Sequence, residues 1–159
     1  QYHSVTPNLD AAKLKNEVMM RWSPHLTLLG DFHSHPYRNL KEVNAEAGYN
    51  FSPEDLKELR TNDFIWEQSD NNPVILVITV CRLGRVRDSV QDNFRNNTAR
   101  YAVGDFQFWL NGAVGYLDEA GKRSVTGNAS PDVQLSVEGW YFNKAGGRVR
   151  SATAETVSK

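Results

Sequence analysis

Two histidines separated by one residue, with an aspartate downstream, are the side chains in this sequence best suited to chemistry. His33 and His35 follow an apolar run, Leu26–Leu29, that predicts a β-strand entering a site. Side chains on a strand alternate between its faces, so both imidazoles project from one side, about 7 Å apart. Imidazole and carboxylate are good zinc ligands, and a catalytic Zn²⁺ needs three of them. Asp55 is the natural third ligand, so the pattern predicts a zinc site.

Pro36 and a second short motif flank this site in the sequence. Pro36 has no N–H to donate, so we expect the strand to end there. Ser52-Pro53-Glu54-Asp55 is a typical helix start, with serine as N-cap, proline at the first helical position and an acid that completes a capping box. Asp55 therefore has two interpretations, as a zinc ligand or only as a helix cap. The combination of both motifs in one chain favours the zinc site.

Together, His33-Ser34-His35-Pro36 and Ser52-x-x-Asp55 resemble the motif of the JAMM/MPN (JAB1/MPN/Mov34) zinc metalloproteases, of the prokaryotic type. About residues 8–118 can be laid on the element pattern of that family. The resemblance implies a mixed, curved β-sheet flanked by helices, with zinc held by His33, His35 and Asp55. It also implies that Ser52 stabilises an oxyanion through a hydrogen bond, and that a glutamate on an upstream strand acts as general base.

Two features of the sequence differ from the compact members of that family. Residues 37–51 form a longer connection than expected, which predicts an inserted loop that covers or borders the metal site and shapes substrate access. The chain begins at Gln1, and we expect the natural N-terminal strand, with its glutamate, to lie upstream. The nearest stand-ins for that base are Glu17, Glu42, Glu46 and Glu54. We therefore expect this chain to bind zinc but to hydrolyse poorly.

The remaining sequence predicts the elements that must position these residues. Apolar spacing predicts helices at residues 10–22 and 53–60, and β-branched or alternating runs predict strands at residues 74–83, 106–117 and 133–137. In the first helix, Leu14, Val18 and Trp22 form the expected buried stripe. This order of helices and strands predicts one α/β domain over residues 1–150 with a mixed sheet, followed by a frayed tail at residues 151–159.

Composition limits the classes of partner. With 159 residues, 40% of them hydrophobic, the chain is long enough for one domain with a substantial core. The net charge of −1 provides no general attraction to nucleic acid or to an anionic membrane, and no apolar run is long enough to span a bilayer. Cys81 is the single cysteine, so we expect a buried thiol and a reducing, cytoplasmic location. The composition indicates no particular oligomeric state.

Other metal and nucleophile chemistries do not fit the sequence. Zinc deaminases need a Pro-Cys-x-x-Cys motif, zincins need His-Glu-x-x-His, and a Cys–His pair would require Cys81 to leave an apolar strand. Two classes of function remain. One is a zinc peptidase or isopeptidase that cleaves an amide bond in a protein or peptide, with a ubiquitin-like C-terminal tail as one candidate substrate. The other is a non-catalytic MPN-like scaffold or protein-interaction module. The presence of all three candidate ligands favours the enzyme.

Overall fold

The computed structural model describes residues 8–85, 93–95, 97–128, 130, 133, 140–142 and 148–150. Within these residues the elements follow in the order α1 (Leu9–Trp22), β1 (Gly30–Tyr37), α2 (Leu40–Glu46), α3 (Pro53–Thr61), α4 (Asp63–Gln68), β2 (Val74–Arg82), β3 (Asn93–Arg95), β4 (Thr98–Val103), β5 (Phe106–Leu117), β6 (Arg123–Val125), β7 (Trp140–Phe142) and β8 (Arg148–Arg150). The main sheet has the order β1-β2-β5-β4-β3, with β6 paired to β5, while β7 and β8 pair with each other. Because β1 and β2 are parallel and the other pairs antiparallel, the predicted α/β architecture with a mixed sheet is confirmed.

The continuous β-branched sequence of β2 predicts a central strand covered on both faces; the strand is interior to the sheet, but only one face is buried. It pairs with β1 on one side and with β5 on the other. Its side chains alternate between buried and partly exposed positions, and the buried ones are Ile75, Val77, Thr79 and Cys81. Cys81 is a free, buried thiol, which confirms its predicted place in the core. The buried face of β2 therefore marks the side of the sheet on which the core lies.

Two apolar clusters hold the helices to this face of the sheet. Leu59 of α3 packs against Val77 in one cluster, and Val43 of α2 packs with Cys81 and Trp109 in the other. Burying each large apolar side chain contributes about 1.5–3 kcal/mol relative to leaving it exposed. α2 and α3 are thus fixed over the face that also carries the two histidines.

β1 differs from its prediction at both ends. It begins at Gly30, later than the predicted start at Leu26, and it continues through Pro36 to Tyr37. Pro36 lies opposite Val80 in the ladder, so the expectation that it ends the strand is wrong. Among the described strands β1 lies at the edge of the sheet, where proline is tolerated because one side of the strand needs no ladder partner.

α1 confirms the predicted first helix but not its packing. Leu14, Val18 and Trp22 are 61%, 50% and 83% exposed, and the helix contains no buried residue. The helix instead turns Asn16 towards the body of the protein, where its amide donates to Gln68 Oε1 at 2.8 Å. The expectation of a buried stripe is wrong because a helical period identifies an apolar face but not the surface that covers it.

Residues 37–51, predicted as an inserted loop, contain helix α2. The side-chain oxygen of Asn39 accepts a hydrogen bond from the Glu42 N–H at 3.0 Å and so caps the helix. Ala47 ends it in the left-handed conformation, with φ of 48°. The prediction of a connection without secondary structure is therefore wrong, and the asparagine before an apolar residue was the sequence feature that indicated a helix start.

The other predictions have mixed outcomes. The helix predicted at residues 53–60 is confirmed as α3, whereas α4 was not predicted. Of the strand predicted at residues 133–137 only Val133 is described, and it is not in a strand; the predicted tail at residues 151–159 lies outside the described residues. Among the helices of the described ranges, none has the length and apolarity that crossing a membrane requires.

Candidate metal centre

The two histidines lie on the core-facing side of β1, as strand alternation predicts. In the parallel register, His33 is opposite Val77 and His35 is opposite Thr79. Both of these β2 residues are 0% exposed, so the imidazoles project on the same side of the sheet as the core. This side is also the one covered by α3, which carries the third candidate ligand.

Asp55 reaches both histidines from the first turn of α3. Its Oδ1 lies 3.2 Å from His33 Nε2, its Oδ2 lies 3.7 Å from His35 Nε2, and the two Nε2 atoms are 3.1 Å apart. One ligand atom from each residue lies within 4.8 Å of the others. Around a tetrahedral Zn²⁺ with bonds of 2.0–2.1 Å, ligand atoms are about 3.3 Å apart. The structure thus brings the three predicted side chains together at spacings that fit one metal ion.

Asp55 caps α3 and at the same time faces the two histidines. Ser52 Oγ accepts a hydrogen bond from the Asp55 N–H at 3.1 Å, and Asp55 Oδ2 accepts one from the Ser52 N–H at 2.7 Å. This is a complete capping box, and it leaves Oδ1 facing His33. The helix cap therefore holds the carboxylate in the position from which it reaches the histidines. Ser52 thus serves the cap through its Oγ, which accepts from the Asp55 N–H, and its hydroxyl also helps to lower the pKa of the Asp55 carboxyl.

A backbone carbonyl orients His35. Its Nδ1 lies 3.1 Å from the oxygen of Gly48. Since a carbonyl only accepts, Nδ1 carries the proton and Nε2 presents its lone pair towards His33 and Asp55. The hydroxyl of Thr79 donates to the same oxygen at 2.8 Å. Metal-binding histidines usually have such a partner on their second nitrogen, because it fixes the tautomer and the ring orientation.

Gly48 lies close to the side chain of Tyr37. A Cβ atom on residue 48 would overlap with the phenol ring of Tyr37, so the ring or the backbone would have to shift. Glycine therefore lets the backbone pass this ring while its carbonyl points at His35. Residues 37–51 border the site through this carbonyl.

Burial and hydrogen bonding act in opposite directions on the Asp55–His33 pair. Burial by itself raises the pKa of Asp55, but hydrogen bonds from His33 and from the backbone and hydroxyl of Ser52 bring this pKa down from 3.8 to about 2. The hydrogen bond with Asp55 raises the pKa of His33 above its usual 6.5, against the lowering effect of burial. The charges of Asp31 and Glu58 also raise the pKa of His33. The pair therefore favours an ionised aspartate beside a protonated imidazole when no metal is bound.

Among the described residues, the cluster that could hold a metal ion consists of His33, His35 and Asp55 and includes none of the four glutamates considered as general base. The carboxylate of Glu42 accepts hydrogen bonds from the Arg38 N–H at 3.2 Å and from the Asn39 amide at 2.9 Å, so it belongs to the start of α2. Glu17 lies on an exposed part of α1, Glu54 on an exposed part of α3, and Glu46 is the last residue of α2.

Sequence reasoning missed two carboxylates and one hydroxyl near the site. Glu58 lies one helical turn after Asp55, and Asp31 lies two residues before His33 on the same face of β1; these spacings could have indicated both. Thr79 is a polar residue inside an apolar, β-branched strand. A buried hydroxyl needs a hydrogen-bond partner, so this position indicated a contact with another segment.

Comparison with protein-family models, with curated proteins and with solved structures gives no match for this chain. The resemblance to JAMM/MPN proteases therefore rests on the sequence motifs His33-Ser34-His35-Pro36 and Ser52-x-x-Asp55 alone.

Proposed function

We propose that this chain is a zinc-dependent hydrolase of the JAMM/MPN type, a peptidase or isopeptidase that cleaves an amide bond in a protein or peptide. The observation that carries the proposal is the convergence of His33 Nε2, His35 Nε2 and the Asp55 carboxylate at 3.1–3.7 Å. Three protein ligands are typical of catalytic zinc sites, whereas structural sites use four. The three side chains are 17–33% exposed, so a substrate can reach them.

The donor set supports zinc over the hard cations Mg²⁺ and Ca²⁺. Two imidazole nitrogens and one carboxylate oxygen suit Zn²⁺, whereas Mg²⁺ and Ca²⁺ prefer oxygen ligands alone. The Gly48 carbonyl supports the same assignment, because it leaves His35 Nε2 unprotonated towards the site. When bound, zinc supplies a Lewis acid that polarises a carbonyl group and activates water near neutral pH.

The residues of the chain take distinct roles in this proposal. His33, His35 and Asp55 hold the ion, and the capping box keeps Asp55 turned towards it. The Ser52 hydroxyl donates a hydrogen bond to the negative charge that develops on the substrate carbonyl oxygen. A carboxylate that accepts the proton of the attacking water typically contributes about 10²–10⁴-fold in rate. The resemblance implies a glutamate upstream for this role, and the charges of Glu58 and Asp31, which act on His33, make these two carboxylates further candidates.

A ubiquitin-like C-terminal tail is the substrate that the resemblance suggests, and a cytoplasmic location belongs to the same proposal. The net charge of −1 gives no electrostatic reason to add nucleic acid or membrane to the partners. A zinc-binding MPN-like scaffold without catalysis is the second candidate. The observation that favours it is the engagement of Glu42 in capping α2, which removes one of the expected bases from the site.

Metal content and turnover together test the proposal. We expect one zinc per chain in the wild type, and loss of it in His33→Ala, His35→Ala and Asp55→Asn. His25→Ala is the matched control, because His25 is exposed and lies outside the site. Absence of zinc from the wild type, or full retention in Asp55→Asn, would refute the metal site.

The hydrolase itself is tested on isopeptide-linked and C-terminally extended ubiquitin-like substrates. Turnover should vanish with a chelator and return with zinc, and Glu58→Gln or Asp31→Asn should reduce it about 10²–10⁴-fold if that carboxylate is the base. Tight zinc binding without turnover on any of these substrates would favour the scaffold.

A further inference from the structure

The core-facing side of β5 carries two fully buried amides, at positions where an apolar side chain would be expected. Gln107 and Asn111 are 0% exposed, and the side-chain oxygen of each has no hydrogen-bond partner among the described residues. Leaving a buried polar group unsatisfied costs about 1–3 kcal/mol. Amides at these positions therefore lower the stability of the fold. The groups to which their N–H atoms donate indicate which parts of the chain they hold in place.

Asn111 and Asn128 hold the backbone of residues 49–51. Asn111 Nδ2 donates to the Tyr49 carbonyl at 3.1 Å and to Asn128 Oδ1 at 3.3 Å. Asn128 in turn binds both backbone groups of Phe51: its Oδ1 accepts from the N–H at 2.9 Å, and its Nδ2 donates to the carbonyl at 3.2 Å. The side chains of Asn111 and Asn128 thus form one connected clamp on residues 49–51, which are the middle of the segment 48–52.

The ends of the same segment make the contacts that orient two of the candidate ligands. At one end, the Gly48 carbonyl accepts from His35 Nδ1. At the other, Ser52 exchanges two hydrogen bonds with Asp55. Because residues 49–51 join these two ends, a shift of the clamped middle moves both contacts.

The sheet places the clamp in line with the other histidine. Asn111 is opposite Val77 on β2, and Val77 is opposite His33 on β1. Asn111 and His33 therefore lie on one cross-strand row and on the same face, two strands apart. The clamp and the candidate ligands share one rigid base, which is what precise positioning of a metal site requires.

We infer that Asn111 and Asn128 are positioning residues of the candidate metal centre: they fix residues 49–51, and through them the Gly48 carbonyl that orients His35 and the Ser52 cap that holds Asp55. This inference rests on the proposed metal site. The two amides act through the backbone of the segment. Removing a group that orients a metal ligand typically lowers metal affinity about 10–100-fold.

The test compares Asn111→Ala and Asn128→Ala with Gln107→Ala. Gln107 is the matched control because it lies on the same face of β5, is equally buried, and donates to the Tyr101 and Phe108 carbonyls, away from the segment. Zinc affinity is measured by competition with a chromophoric chelator, and ligand geometry by the visible absorption of the Co²⁺-substituted protein. We expect a loss of about 10–100-fold in affinity and an altered Co²⁺ spectrum for the two asparagine variants only. Asn111→Ala changes a buried residue and can impair folding, whereas Asn128 is exposed, so Asn128→Ala tests the same clamp in a folded protein.

A measurement without metal separates this inference from the proposed function. In chelator-treated protein, NMR of the imidazole nitrogens gives the tautomer of His35, which we expect to be Nδ1–H in the wild type and in Gln107→Ala. Both asparagine variants should show a mixture of tautomers. If the wild type binds no zinc but the asparagine variants still change the His35 tautomer, the metal site is refuted and the positioning role of the two asparagines stands. Unchanged tautomer and unchanged zinc affinity in both variants would overturn the inference.

Discussion

His35 and Thr79, which face each other across β1 and β2, share one hydrogen-bond acceptor. The carbonyl oxygen of Gly48 lies 3.1 Å from His35 Nδ1 and 2.8 Å from Thr79 Oγ1. The acceptor comes from neither strand but from the segment that follows α2. Three separate parts of the chain therefore meet at one oxygen atom and together set the direction of the His35 lone pair.

Replacing Thr79 with valine should separate the hydrogen bond of the Thr79 hydroxyl from the packing of the side chain. Valine keeps the shape of threonine but leaves the buried Gly48 carbonyl without one donor, so we expect the free energy of unfolding to fall by about 1–2 kcal/mol. Zinc affinity should fall about 10-fold, since His35 is held less firmly. Thr79→Ser keeps the hydroxyl and should retain zinc affinity while losing about 1 kcal/mol for the missing methyl group. Urea unfolding and zinc competition measure both quantities, and equal zinc affinity in the two variants would contradict the role of the hydroxyl.

Gly48→Ala should disturb the site through Tyr37. The added methyl group overlaps the phenol ring, so either the ring or the segment must move, at a cost of about 1–3 kcal/mol and with weaker zinc binding. Gly84→Ala is the control, because a Cβ at that position meets no atom within 4 Å. Adding Tyr37→Leu to Gly48→Ala should restore zinc affinity in part. No difference between the two alanine variants in urea unfolding and zinc competition would show that the contact with Tyr37 is not limiting.

The local motifs in the sequence were sufficient to predict the candidate ligands and several elements. Strand alternation placed His33 and His35 on one face, and the helix start at Ser52 placed Asp55 at the first turn of α3. Both features depend only on neighbouring residues, which is why a single sequence contains them. The Gly48 carbonyl and the clamp from Asn111 are backbone and long-range contacts, and no local pattern specifies them.

Ser52 has two proposed roles, and two substitutions separate them. Ser52→Ala removes the N-cap, so the free energy of unfolding should fall by about 1 kcal/mol. The same substitution removes the hydroxyl donor, so hydrolysis should be lost as well. Ser52→Asn supplies another good N-cap, so it should recover most of the stability. It should not recover turnover, because the amide does not reproduce the hydroxyl donor at the same position. Full turnover by Ser52→Asn in an isopeptidase assay would show that Ser52 is only a cap.

The Asp55–His33 pair predicts a defined pH dependence for the metal-free protein. The pKa of Asp55 is lowered from 3.8 to about 2, so its contribution to stability is present above about pH 4 and is lost as the pH falls towards 2. The pKa of His33 is raised above 6.5, so its contribution is complete below that pH and is lost as the pH rises through the folded-state value. The stabilisation by this pair should therefore be largest between about pH 4 and 6.5.

Urea unfolding in the presence of a chelator, at several pH values, checks this dependence. Asp55→Asn should remove both losses of stability, the one towards pH 2 and the one above pH 6.5. The asparagine keeps an acceptor for the Ser52 N–H. Glu54→Gln, at the exposed neighbouring position, should leave both changes in place. Zinc affinity should increase with pH through the same range, since the metal competes with the proton on His33. An unchanged pH profile in Asp55→Asn would be evidence against the ion pair.

Because the apolar stripe of α1 is exposed, we expect it to tolerate a charged substitution. Val18 is 50% exposed, so Val18→Lys should change the free energy of unfolding by no more than about 0.5 kcal/mol. Val43 of α2 is 0% exposed, so Val43→Ala should lower the free energy of unfolding by about 1–3 kcal/mol. Chemical denaturation of both variants measures this contrast. A large loss in Val18→Lys would mean that the stripe is covered in solution.

The error in placing α1 and the success with β2 have one physical origin. The continuous β-branched sequence of β2 predicts an interior strand, and β1 and β5 flank it, although only one of its two faces is buried. The apolar stripe of α1 equally predicts a covered face, but nothing in a single sequence states which surface lies beside it. The proline at position 36 shows the same limit, because its effect depends on whether the strand lies at the edge of the sheet.

The parallel pairing of β1 with β2 makes the candidate metal centre sensitive to strand alignment. If β1 slipped by one residue along β2, the period of two would turn His33 and His35 to the opposite face, away from Asp55 and from the Gly48 carbonyl. A ligand that needs both histidines would therefore bind only molecules in the native alignment, and by mass action it would draw slipped molecules back to that state. During refolding, a bound ion would select the correctly aligned edge strand, in addition to any part it plays in chemistry.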